Sequence, residues 1–145
     1  MMMKKVMTID PGDHIGTLYT DDKTIFGQTF EGDYRLLQLW EYLHIRKPDV
    51  IVYERFALRA DKAKKLVGST FITCEVIGII KLYCQLNDIE PIELIPADKE
   101  YCGFSSNPKD AHYQCIQLPL NEKITEHVRD TYRLYSYYKL FKEKQ

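Results

Sequence analysis

Four residues set far apart in this chain are of types that together bind divalent cations: Asp10, Glu54, His127 and Asp130. Asp10 closes the short β-rich run KKVMTID, and the DPGD that follows is a strong turn signal. Glu54 closes DVIVYE, a short and nearly continuous apolar run of the kind found in buried parallel strands. If the two strands are parallel neighbours, both carboxylates emerge at one sheet edge, a few ångströms apart. Bare carboxylates that close repel, so one takes up a proton or a cation sits between them. Mg2+ and Mn2+ suit a site of hard oxygen ligands that retains water. His127 and Asp130 open the helical pattern HVRDTYRLYSYY, over the same face as Leu134, Tyr138 and Phe141, so that helix could complete the site.

Each residue alone has a plainer reading. Asp10 could be only the first residue of an Asp-Pro-Gly turn, and Glu54 a strand-end carboxylate facing water. Asp130 could be a surface acid paired with Arg129 or Arg133, and His127 a satisfied half-buried histidine. The metal-site reading rests on the combination.

The elements that must position these groups are legible in outline. KKVMTID, IGTLYT and TIFGQTFE read as a three-stranded antiparallel meander. In DYRLLQLWEYLHIRKP, Leu36, Leu37, Trp40 and Leu43 recur at helical spacing, and Pro48 ends the helix. DVIVYE and PIELIPA are strands on either side of a long helical pattern over about 61–86, which Gly68 could kink or break. NPKDAHYQCIQ opens a further helix, with Asn107 as N-cap and Pro108 at its first position. The expected architecture is α/β: a mixed five-stranded sheet, three antiparallel strands plus two parallel ones, with helices on both faces. Neighbouring parallel strands bring their C-terminal ends together, where sheets of this class place their sites.

At 145 residues the chain fits a single domain spanning 1–145. No apolar run approaches the roughly 20 residues needed to span a bilayer, and MMMKKVMTID has no secretory apolar core. A cytoplasmic setting is expected. Cys74, Cys84, Cys102 and Cys115 form no close pair, which argues against zinc and disulfides, and Cys74 and Cys84 fall in an apolar helix as buried thiols. The net charge of −1 does not by itself advertise nucleic acid, and its distribution says more. Arg55, Arg59, Lys62, Lys64 and Lys65 cluster with only Asp61 among them, whereas acids concentrate near the N-terminus. The cluster reads either as a solvated helix start or as the basic stripe that draws phosphates towards an acidic metal centre.

With IDPG at 9–12, VYE at 52–54 and HVRDT at 127–131, the sequence resembles the RuvC-like Holliday-junction resolvases of the RNase H-like superfamily across nearly its whole length. The resemblance implies that Asp10, Glu54, His127 and Asp130 are the metal-binding and catalytic residues. It also places Lys99 and Lys109 near the scissile phosphate and Phe56 where an aromatic can meet junction bases, although ordinary surface lysines and a packing Phe are equally simple readings. It implies an Mg2+-dependent endonuclease, Mn2+ substituting, with two ions about 4 Å apart. That enzyme would nick four-way DNA junctions symmetrically as a homodimer, with no organic cofactor and no membrane, beside the nucleoid. The residues do not say whether a cell or a virus encodes it. STFITCEVIGIIKLYC, 69–84, is a candidate dimer surface or simply core. Departures from the family pattern are Asp13 beside the site, the Tyr-rich last helix and the modest basicity. Rival readings are a flap-, branch- or RNA-directed nuclease on the same site, and a non-catalytic DNA-binding module. An actin-like phosphotransferase would need a second domain for which there is no room.

Overall fold

The strict two-residue alternation of β1 and β4 decides which side chains meet which helix. In the computed structural model, residues 4–21, 23–55, 71–95, 115–119 and 122–142 are described. Strands β1 (Val6–Asp10), β2 (Ile15–Thr20) and β3 (Ile25–Phe30) form the antiparallel meander. The β2–β3 turn is closed by Asp21, whose carboxylate accepts backbone N–H groups of Lys23 at 2.8 Å and Thr24 at 2.7 Å. The Lys23 bond leads in holding that carboxyl below its ordinary range.

Helix α1 (Arg35–Arg46) ends at Lys47, whose φ of 49° is left-handed and whose N–H donates to the Leu43 carbonyl at 2.9 Å. Pro48 then blocks continuation. Strand β4 (Val50–Glu54) lies parallel to β1, and β5 (Ile92–Leu94) parallel to β4, after helix α2 (Ile72–Leu86). A two-residue strand, β6 (Ile116–Gln117), lies parallel to β3. Helix α3 (Glu126–Tyr137) runs on into a π-helical turn over Tyr138–Lys142. The sheet order is β5-β4-β1-β2-β3-β6.

Met7, Ile9, Ile51 and Tyr53 point to one face, where they form a core with Leu39, Leu43, Val76 and Ile80 of α1 and α2. Val6, Val50, Val52 and Leu94 point to the other, against Leu134 and Tyr138. Leu18 and Ile116 pack there with Val128 and Tyr132. Each such side chain, fully removed from water, contributes about 1.5–3 kcal/mol. Helices therefore cover both faces, as expected.

Among the described residues the sheet has six strands rather than five. The extra one, Ile116–Gln117, falls inside the segment NPKDAHYQCIQ, where a helix was expected; two residues are too few to show alternation. Asn107 and Pro108 lie outside the described residues, as do Gly68 and the first part of the pattern over 61–86. Leu37 is half exposed, because α1 turns Leu39, Tyr42 and Leu43 inward instead. Cys74 is exposed on the outer side of α2, not buried, whereas Cys84 is buried. Among the described residues no helix is long and apolar enough to cross a membrane.

Candidate active site

Strand register brings the two strand-end carboxylates together. Ile9 of β1 pairs with Tyr53 of β4, so the next step along both strands sets Asp10 beside Glu54. Neighbouring strands lie about 4.8 Å apart. Alternation carries the assignment further: Asp10 shares the side of Val6 and Thr8, and Glu54 that of Val50 and Val52, which is the α3 side. Both carboxylates are half-buried. The sequence expectation of two parallel strands ending in adjacent acids therefore matches the observed topology.

Two contacts dock the start of α3 on this spot. Gly16 pairs with Asp10 across the β1–β2 ladder, and the His127 backbone lies directly over it. A Cβ on Gly16 would stand 2.5 Å from the His127 carbonyl oxygen, so only glycine permits the approach. One turn later, the buried Thr8 hydroxyl donates to the Thr131 carbonyl at 3.0 Å. The N-cap Thr125 accepts the Val128 N–H at 3.2 Å and fixes where the helix begins. His127, Asp130, Thr131 and Leu134 make one stripe of α3, with Thr131 and Leu134 fully buried. His127 and Asp130 lie along this stripe half-buried.

The helix side chains are also engaged locally. Asp130 Oδ1 lies 3.7 Å from Arg133 Nη1, the pairing that the plainer reading anticipated. His127 Nε2 lies 3.7 Å from Glu126 Oε1, while its ring stacks on His14, with centroids 4.9 Å apart and planes 2° from parallel. His14 Nε2 in turn meets Glu31 Oε2 at 2.9 Å. Beside this stack is an open cleft of about 350 Å³, bordered by Glu31, Lys123, Thr125 and His127. Asp13, expected to add negative charge to the site, is exposed; Arg35 donates to its carbonyl at 2.6 Å.

Among the described residues no three His, Cys, Asp or Glu side chains converge tightly enough to hold a metal ion as they stand. The chemistry of the donor set nevertheless suits Mg2+ or Mn2+: three carboxylates and an imidazole beside solvent. Turning Asp130 from Arg133 towards the strand ends costs little, since a part-exposed ion pair is worth about 0–1 kcal/mol.

Of the proposed DNA-contacting residues, Arg55 is exposed next to Glu54, with Nε 3.8 Å from Glu93 Oε1. Phe56, Arg59, Lys62, Lys64, Lys65, Lys99 and Lys109 lie outside the described residues. Sequence reasoning missed His14, Glu31, Gly16 and Thr8. A signal for the first two existed: with Ile15 paired to Phe30, hairpin register sets His14 opposite Glu31.

No protein-family model and no curated protein matches the sequence. The fold does match solved structures. T. thermophilus RuvC in complex with Holliday junction substrate superposes with a TM-score of 0.64 at 13% identity, over 94% of this chain and 95% of that one. The Fowlpox virus resolvase complexed with Holliday junction DNA gives 0.57 at 15% identity, over 92% and 98%. The yeast mitochondrial Holliday junction resolvase Ydc2 gives 0.51 at 13%, over 91% and 75%. The chain thus has the RuvC-like, RNase H-like fold.

Proposed function

We propose that this protein is a metal-dependent endodeoxyribonuclease that resolves four-way DNA junctions by paired symmetric nicks, leaving 5′-phosphate and 3′-hydroxyl ends. One observation carries the proposal: adjacent parallel strands end in Asp10 and Glu54 on the side where the first two turns of α3 dock over Gly16 and Thr8. The similarity in fold to proteins crystallised with Holliday junctions supports branched DNA as the substrate.

Asp10, Glu54, Asp130 and His127 would hold two Mg2+ ions, for which Mn2+ can substitute. Bound there, the ions supply an acidified water and charge stabilisation at the leaving 3′-oxygen. Asp10 and Glu54 fix one side of the site on rigid strands, and α3 brings Asp130 and His127 from above. A neutral His127 ring can accept a proton or act as a ligand. Lys99 and Lys109 would neutralise charge gathering on the phosphate. Arg55, Arg59, Lys62, Lys64 and Lys65 would draw the DNA backbone to the strand ends, and Phe56 would stack on a junction base. Such an enzyme works where DNA lies, in the cytoplasm beside the nucleoid.

A junction offers two equivalent strands, and a two-fold homodimer matches them. The outer side of α2 suits such an interface, because Phe71, Leu82 and Leu86 are exposed along it. Incubating the purified chain with a labelled mobile four-way junction, with Mg2+ or with EDTA, tests the proposal. Symmetric nicks that require metal are expected, and Asp10→Asn should abolish them while sparing the fold. Preferential cleavage of flap, linear duplex or RNA–DNA hybrid would redirect the reading to another substrate, and normal nicking by Asp10→Asn would sink the site.

A further inference from the structure

His14 belongs to none of the assigned groups, yet its ring stacks on that of His127. Two features of α3 leave that imidazole in need of support. The His127 backbone is pinned by its close approach to Gly16, so the remaining freedom is in the side-chain torsions. The outer torsion of histidine is broad and roughly two-fold, so the ring plane is set by its neighbours rather than by the bond itself. Glu126 is a poor partner for this purpose, since 3.7 Å exceeds hydrogen-bond distance and its side chain is 75% exposed.

The flat face of His14 supplies what Glu126 does not. The two rings lie 2° from parallel, and His14 Nε2 is held 2.9 Å from Glu31 Oε2. Both anchor points flank the paired strands β2 and β3, whose register places them opposite each other. Strand geometry is thereby passed to the His127 ring through one stack and one close side-chain contact.

We propose that His14 is a positioning residue for the nuclease reaction, holding the plane of the His127 imidazole while Glu31 holds His14. This rests on the proposed nuclease activity. Partners of this kind, one contact removed from the reacting groups, are typically worth 10–100-fold, and the partial exposure of His14 points to the lower end.

The test is single-turnover cleavage of a labelled four-way junction by the full chain, with the junction concentration dependence measured separately. His14→Ala should lower the maximal rate about tenfold and leave the half-saturating concentration unchanged. His14→Phe, which keeps a flat ring without the Glu31 contact, should recover only part of that rate. In NMR spectra His14→Ala should shift the His127 ring protons, which lose the neighbouring ring current, while the backbone signals of α3 stay in place. An unchanged rate in His14→Ala would overturn the inference, as would a loss seen only in half-saturation, which would make His14 a DNA contact. Equal losses in His14→Ala and His14→Phe with lowered melting temperatures would make it merely structural and also overturn it. Absence of metal-dependent cleavage by the unaltered protein would instead overturn the nuclease reading, and the inference with it.

Discussion

Placing a methyl group on Gly16 would test how the site is assembled. The added carbon would lie 2.5 Å from the His127 carbonyl oxygen, 2.8 Å from its carbonyl carbon and 3.0 Å from its Cβ. Ordinary contact begins near 3.4 Å, so the shortfall is about 0.9 Å. The two nearest atoms are backbone, so no side-chain rotation relieves the clash, and the first turn of α3 must lift by about that distance. Overpacking of this kind costs about 1–3 kcal/mol. For a chain of this size, ~2 kcal/mol corresponds to a melting temperature lower by roughly 4–8 °C. The effect on chemistry is larger than on folding, because a misplacement of about 1 Å can cost on the order of 100-fold in rate. Gly16→Ala should therefore melt a few degrees lower in calorimetry, stay folded at 25 °C, and cleave junctions about 100-fold more slowly in single-turnover assays. Cleavage at the unaltered rate would refute the reasoning, since it would mean that the position of α3 over β2 does not matter to the site.

Other expectations follow from single contacts. Thr8→Val removes the buried hydroxyl that donates to the Thr131 carbonyl, and thermal unfolding should show a loss of about 1–3 kcal/mol. Burial pushes the Cys84 thiol up to about 11, so alkylation mapped by mass spectrometry at pH 8 should modify the exposed Cys74 and spare Cys84. Because the folded state favours the neutral thiol, the Cys84 contribution to stability is complete below the unfolded thiol value of about 8.5. It is lost as pH rises from there towards about 11. Replacing Lys62, Lys64 and Lys65 by alanine should reduce the slope of log affinity for junction DNA against log salt by up to about one per lysine. A slope that does not change would remove these residues from the DNA path.

The sequence disclosed the half of the proposed site that rests on local pattern. Asp10 and Glu54 are legible because each ends a run whose strand character is strong, and parallel pairing then follows from topology. His127 and Asp130 are legible because helical spacing ties them to Leu134 and Tyr138. What stayed hidden needed tertiary knowledge. The His14–Glu31–His127 chain depends on hairpin register and on where a helix from the far end of the sequence lands. Cys74 was misplaced because α2 carries apolar residues around most of its girth, Leu82 and Leu86 included, so periodicity could not choose its inner side. Strand β6 was missed because two residues carry no period at all, and the helical signal around it was stronger.

The hydrogen bond between Thr8 and Thr131 joins positions 123 residues apart. A chain growing on the ribosome exposes Asp10 and Glu54 long before His127 and Asp130 exist, and the sheet face carrying Val6, Val50 and Val52 stays bare until α3 arrives. Docking of that helix covers this face and brings in the last of the proposed donors in one event, so completion of the core and completion of the proposed site coincide. A nascent or prematurely terminated chain that stops short of α3 therefore lacks the second half of the donor set. It cannot cut DNA by the proposed route, and it leaves the apolar face of Val6, Val50 and Val52 uncovered.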